Sequence, residues 1–209
     1  MEDRRTRAAR AHFDRWSRSY ETGAGARWLQ AVQTEALAAL ALNSSDVLLD
    51  LACGTGAAVR AAAPEVGRAV GFDVSPGMVA QARQRANGLP NVEFHEGDVS
   101  GGLPFAAGEF TAILCTSAFH HFPRPVETVA EISRMLGPGG RVVIADANRR
   151  HPAVFVLDLL LQRSQRSHVG YRSPSQLIHD LRAVGFASAS YCTTRWRSFA
   201  FVRAERAAR

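Results

Sequence analysis

The chain has 209 residues, 46% hydrophobic and 21% charged, the balance of one globular domain around one core. Its net charge of +6 comes from 25 arginines and no lysine. These are spread along the chain, which reads as composition more than as a nucleic-acid face, with an acidic substrate or a membrane surface as the lesser reading. The opening "MEDRRTRAARAHFDRW" has no apolar leader, no apolar stretch is long enough to span a bilayer, and Cys53, Cys115 and Cys192 are too few for a disulfide framework, so a reducing cytoplasm is expected.

In chain order, residues 4–20 and 26–42 read as two helices. The run "VLLDLACGTGAAV" then places a buried strand at residues 47–52, a glycine turn at Gly54 and Gly56, and a helix over 56–63. A strand is expected at 69–73, followed by a helix over 76–87 that Ser75 caps and Pro76 opens. Strands at 92–95 and 110–115 follow, then a helix over 125–136 that "LGPGG" at 136–140 stops and turns, and a strand at 142–146. Helices over 153–163 and 175–184 precede an antiparallel strand pair at 187–193 and 196–203. Strands alternating with helices imply βαβ units and a parallel sheet.

A strand, glycine turn and helix aim unpaired N–H groups at whatever binds above the strand's carboxyl end. The dinucleotide fingerprint G-x-G-x-x-G is not met, because Val59 stands at its third glycine and Cys53 precedes the first. Asp73, about 20 residues on at the end of the next strand, is placed to bond a ribose diol. Asp98 in "EGDVS", after the third strand, could accept from an exocyclic amine. Each acid alone could be a helix cap or a surface group. Acids and a glycine turn at successive carboxyl ends of parallel strands point instead to one nucleoside-type ligand.

The stretches "LDLACGTG", "VGFDVSPGMVAQAR", "VEFHEGDVS" and "FTAILCTSAFHHFPRPVETVAEISRMLGPGGRVVIAD" resemble the successive motifs of class I S-adenosylmethionine-dependent methyltransferases. The pattern is that of the group containing the ubiquinone/menaquinone-biosynthesis methyltransferases and many small-molecule methyltransferases, and "FDRWSRSYE" near the N-terminus is similar to it too. The resemblance implies a Rossmann-like α/β three-layer sandwich whose seven-stranded, mostly parallel sheet has an antiparallel last strand. It implies one domain, with N-terminal helices at 1–42, a cofactor-binding core at 46–146, a helical lid or insertion at 147–185 and terminal strands at 186–203. It puts the cofactor's methionine part against Ala52, Gly54 and Gly56, its ribose on Asp73, its adenine between Val74 and Met78, and the adenine amino edge at Asp98 and Val99. Tyr20 and Thr116 would close the site near the sulfonium. Thr111 departs from the group, whose members often carry an acid there.

Methyl transfer from a sulfonium needs alignment and exclusion of water, and neither a metal nor a covalent nucleophile. A base is needed only for a phenol, an acidic carbon or a protonated amine. His120 and His121, after the fourth strand, are the candidates, with a packing role expected for at least one. Cys115 with these histidines makes a poor metal set, one thiol at a strand end with two imidazoles. Acceptor selection should lie in residues 4–20 and 149–171. "HPAVFVLDLLLQR" is apolar nearly all round, which fits a lid over a hydrophobic pocket or a core helix ahead of a helix held to anionic lipid by Arg149, Arg150, Arg163 and Arg166. The leading function is methyl transfer to a small, hydrophobic acceptor. The alternatives are a non-catalytic cofactor-binding module and, behind it, a nicotinamide-dependent reductase, which Val59 opposes; RNA methylation lacks an aromatic-basic strip.

Overall fold

The computed structural model describes residues 3–22, 25–194 and 197–208. Its sheet contains β1 (Val47–Leu51), β2 (Arg68–Asp73), β3 (Val92–Glu96), β4 (Phe110–Thr116), β5 (Leu136–Ala147), β6 (Phe186–Thr193) and β7 (Phe199–Arg206), in the order β3-β2-β1-β4-β5-β7-β6. β1 is parallel to β2 and β4, β2 to β3, and β4 to β5, while β7 runs antiparallel to both of its neighbours. The helices are α1 (Arg4–Trp16), α2 (Ala26–Leu40), α3 (Ala57–Ala62), α4 (Pro76–Arg85), α5 (Pro125–Met135), α6 (Pro152–Ser164) and α7 (Pro174–Ala183).

Alternate residues of the central strands point to opposite faces, and both faces are apolar. Leu48, Ala112, Leu114 and Val143 pack with Val32, Ala36 and Leu40 of α2 and Ala58 and Ala62 of α3. Leu49, Ile113, Val142 and Ile144 face the other way, against Val129 and Ile132 of α5 and Leu177 and Leu181 of α7. Three layers result, as expected of a Rossmann-like α/β protein. Val59 is buried with Val79, Ala82 and Phe94, so the side chain that breaks the dinucleotide fingerprint fills the space between α3, α4 and β3. Thr111 donates to the Asp46 carboxylate (2.6 Å) and accepts from Val47 N–H (3.0 Å), tying β4 to the start of β1. Arg141 also bonds Asp46 (2.7 Å), so an acid at position 111 would bring a second carboxylate to that contact.

The expected elements recur with shifted ends. α1 stops at Trp16 and leaves Tyr20 in a turn, and α4 stops at Arg85. The segment "LGPGG" ends α5 but is not a free turn: Leu136 is buried and already pairs with Phe110, and the register shifts before Ala112 meets Arg141. A buried side chain pulls that backbone into the sheet, and Gly139 (φ +71°) allows the irregular path. The last strand begins at Phe199; Trp196, where it was expected to begin, lies outside the described residues. The helix expected to be lid or core is α6, and it is not core: among its apolar residues only Val154 is buried, while Phe155, Val156, Leu157 and Leu160 are exposed.

Candidate active site

Strand order reverses direction between β1 and β4, and in an open α/β sheet the crevice at the carboxyl ends of such neighbours is where ligands bind. Two residues that are not glycine hold left-handed backbone there, Ala52 after β1 (φ +60°) and Ser117 after β4 (φ +54°). Such strain costs about 1–3 kcal/mol per residue and clusters at functional sites. Backbone bonds fasten both, Ala52 N–H to the Phe72 carbonyl (2.7 Å) and Ser117 N–H to the Ala145 carbonyl (2.8 Å).

A cavity enclosing about 680 Å³, part of it open to solvent, lies over these two residues. Its lining includes Tyr20, Ala52, Gly54, Asp73, Val74, Met78, Asp98, Val99 and Thr116. Nine of the ten residues expected to hold the cofactor are thus brought together. The tenth, Gly56, is not in the lining: a Cβ there would meet Phe94 at 2.6 Å, so this glycine serves the close approach of α3 to β3 and α4. Gly54 has φ +54°, and its N–H donates to Asp73 (2.8 Å).

Asp73 also accepts from Ser75 N–H (2.8 Å). Burial raises its carboxyl to about 6 against the pull of these bonds. Asp50, two residues before Ala52, is buried with neither carboxylate oxygen bonded among the described residues, and burial, with Asp73 nearby, pushes its carboxyl well up. Asp73 and Asp98, both in the cavity lining, suit a nucleoside, while Asp50 lies outside the lining of either cavity. The residues present therefore fit S-adenosylmethionine. Asp50 stood in the sequence only as the acid of an apolar strand; its missing partner is visible only in the fold.

α1 and the turn after it roof the cavity with Thr6, Ala9, Phe13 and Tyr20. Two carboxylates fasten this roof. Asp14 accepts from the Ser75 hydroxyl and from Gly77 N–H (3.0 Å) at the start of α4. Glu21 accepts from the Thr55 hydroxyl, Arg60 (3.1 Å) and Arg85 (2.8 Å) beside the glycine turn. Burial and the nearby Asp73 hold the Tyr20 hydroxyl up at about 12, so it stays protonated.

A second, larger chamber opens beside the first, and Phe13, Tyr20, Ser117 and His121 line both. Its walls are mainly aromatic and apolar, with Trp16, Trp28, Val154, Leu157, Leu161 and Phe199 among them. Phe155 is not in the lining, so that face of α6 turns away.

The two histidines behave differently. His120 lines the second chamber, its Nδ1 is 2.9 Å from both oxygens of Asp146 at the end of β5, and its own N–H donates to the same carboxylate (3.0 Å). Nδ1 therefore carries the hydrogen, and Nε2 has no hydrogen bond among the described residues. His121 donates from Nδ1 to the Ser167 carbonyl (2.7 Å), and burial lowers it to about 3, so it is neutral at physiological pH. Cys115 is buried in the core beneath them.

Gln165, His168 and Tyr171 of the 165–172 loop wall the chamber, and behind them Asp158 is fully buried. Asp158 accepts from Arg149 (2.8 Å), Gln162 (2.9 Å), His168 (2.7 Å) and Tyr171 N–H (2.9 Å). Burial alone would raise its carboxyl, but these bonds outweigh burial and lower it.

Residues 49–144 match the methyltransferase domain family. The chain is 31% identical over 213 residues to a demethylmenaquinone methyltransferase of Deinococcus radiodurans, covering 90% of this chain and 83% of that one. It is 35% identical over 126 residues to a 2-phytyl-1,4-naphtoquinone methyltransferase of Thermosynechococcus vestitus, covering 59% and 55%. It spans about half the length of several other curated relatives it matches. A chain in the complex of the Haloferax volcanii Trm112 methyltransferase activator shares the fold, with a TM-score of 0.80, 24% identity and coverage of 93% and 97%. Sheet order, crevice and relatives define one class: the chain belongs to the class I S-adenosylmethionine-dependent methyltransferases. The cofactor of that family is S-adenosylmethionine.

A cofactor-binding role for Asp73 would show itself in the pH dependence of binding. The folded Asp73 carboxyl is raised from 3.8 to about 6, so the apo-protein loses stability as pH rises through that interval, and the full cost is present above 6. Affinity for a ribose diol runs the opposite way, because the diol needs the carboxylate as acceptor. Calorimetric affinity for S-adenosylmethionine should therefore fall by up to about tenfold per pH unit below 6. Asp73→Asn should flatten that dependence and weaken binding by roughly 1.5–3 kcal/mol, the range for hydrogen bonds to charged groups. Equal pH profiles for the two proteins would remove Asp73 from the cofactor site.

Proposed function

We propose that the protein methylates a small, largely apolar acceptor held in the second chamber, with His120 as general base where the acceptor must lose a proton. The single observation that carries this reading is the aromatic chamber joined to the cofactor cavity at Phe13, Tyr20, Ser117 and His121, with an Asp146-held imidazole in its wall. The relatives' action on quinone precursors makes a planar ring with an ionisable hydroxyl or an adjacent acidic carbon the first acceptor to try.

When bound, S-adenosylmethionine supplies a methyl group already activated on sulfur. Tyr20, Asp73, Val74, Met78, Asp98 and Val99 would hold it, with Ala52, Gly54 and Thr116 along its length. Phe13 and Tyr20 keep water from the junction of the two cavities. Trp16, Trp28 and Phe199 offer flat faces to an acceptor ring. His120 Nε2 takes the acceptor's proton, and the Asp146 carboxylate, bonded to Nδ1–H, fixes the tautomer and steadies the imidazolium that forms. His121, neutral with its Nδ1–H given to the Ser167 carbonyl, shapes the junction and takes no part in the proton transfer.

Leu161→Asn tests the chamber, since Leu161 lines it and is absent from the cofactor cavity. With a panel of quinols, phenols and enols and methyl-labelled cofactor, this variant should raise the acceptor KM by roughly tenfold, the order expected for unpairing one aliphatic side chain from its ligand. Its calorimetric cofactor affinity should stay unchanged. An unaltered acceptor KM, or no labelled product from any member of the panel, would count against the reading.

A further inference from the structure

α6 is built inside out. Its sequence "PAVFVLDLLLQRS" buries the charged Asp158 and turns its aliphatic side chains to solvent, with Val156 and Leu160 each 57% exposed and Phe155 and Leu157 close behind. Asp158 explains the buried side: its bonds to Arg149, His168 and Tyr171, all outside the helix, moor it by polar contacts instead of apolar packing, and Gln162 of the same helix donates a fourth. On the outer side the Arg149 guanidinium lies over the Phe155 ring, 5.1 Å from its centroid, while Val156 and Leu160 stand open to solvent. Val156, Leu160 and Arg163 follow helical spacing, so the outward stripe of two aliphatics ends in an arginine.

The exposed apolar surface continues across the chamber mouth. Trp16 (41%) and Trp28 (51%) are exposed, and both line the chamber together with Leu157. Exposed Arg15 and Arg27 precede the two tryptophans, exposed Arg163 lies in the last turn of α6 and exposed Arg166 just after it; none of the four makes an ion pair among the described residues. Aliphatic side chains, tryptophans at a rim and unpaired arginines around them are the composition of a helix lying in a lipid headgroup layer. The 13-residue α6 is too short to cross a bilayer, and no helix among the described residues is long and apolar enough to do so.

We propose that this face, α6 with Trp16 and Trp28, docks on the surface of an anionic lipid bilayer. Val156, Leu160 and Phe155 enter the acyl boundary, the arginines meet lipid phosphates, and the chamber mouth is pressed against the membrane. The docking stands independently of the methyl-transfer reading. Its consequence, that a lipophilic acceptor passes from bilayer to chamber without crossing water, rests on that reading.

Cosedimentation of the full chain with phosphatidylcholine vesicles, with and without phosphatidylglycerol, tests the docking. Binding should be strong on the anionic vesicles, weak on the neutral ones and reduced by salt. Val156→Gln/Leu160→Gln, at exposed positions outside both cavities, should weaken it roughly tenfold or more. Arg163→Gln/Arg166→Gln should weaken it on anionic vesicles alone, by roughly fivefold per arginine. Calorimetric cofactor affinity should be the same in all three proteins, so a failure of docking and a failure of the cofactor site are read separately. Absence of vesicle binding, or equal binding by the V156Q/L160Q protein, overturns the proposal. So does a dimer in ultracentrifugation that this variant dissociates without any vesicle binding, because a second copy would then cover the face.

Discussion

Replacing His120 by Gln should lower the rate of methyl transfer to an acceptor that must lose a proton by roughly 10²–10⁴, the usual contribution of general acid–base catalysis, with cofactor affinity nearly intact. The expectation rests on an imidazole whose Nδ1–H is committed to Asp146 and whose Nε2 has no hydrogen bond among the described residues. Asp146→Asn should lose part of the same factor, because an amide can present its NH2 to Nδ1 and favour the wrong tautomer. His121→Gln should behave otherwise. With its pKa lowered to about 3, His121 is a weak base, and its loss should change cofactor affinity or stability more than the rate at saturating cofactor. Rates across the range where imidazole titrates decide the matter. If both single variants stay within a few-fold of the parent for a hydroxyl-bearing acceptor, His120 is not the base.

The second large effect should be on stability. Asp158→Ala removes an acceptor from four donors and leaves His168 buried without its partner, a loss of roughly 3–5 kcal/mol for a broken buried pair. The effect belongs at the lower end, because the Arg149 side chain is 34% exposed and can turn to water once released. Asp158→Asn, which keeps one carbonyl acceptor, should lose less. Urea unfolding at neutral pH measures both. Acceptor KM should rise with the Ala variant, because α6 and the 165–172 loop wall the chamber together. A variant as stable as the parent would show that α6 is held by its few apolar contacts and not by this carboxylate.

Much of the architecture was legible in the chain because it rests on local chemistry. Apolar runs of strand length separated by helix-forming stretches require a parallel sheet, and Ser75 with Pro76 opens α4 wherever that helix lies; the Ser75 hydroxyl accepts from Met78 N–H. The glycine turn, Asp73 and Asp98 were visible as a set because parallel strands bring successive carboxyl ends to one edge. Nine of the ten expected cofactor residues share one cavity, all but Tyr20 at or just after those carboxyl ends.

What depends on contacts between distant segments was not legible. Gly54 and Gly56 look alike in sequence, yet one lines the cavity and the other faces Phe94, 38 residues on. Two adjacent histidines carry no mark of their difference until β5 brings Asp146 to one and the loop after α6 brings the Ser167 carbonyl to the other. An apolar helix reads as buried, because hydrophobic burial is the default use of leucine. Only the fold turns α6 over, since a carboxylate at its middle finds an arginine, a histidine and a backbone N–H on the protein side, and the helix cannot satisfy Asp158 and bury Val156 and Leu160 on the same face.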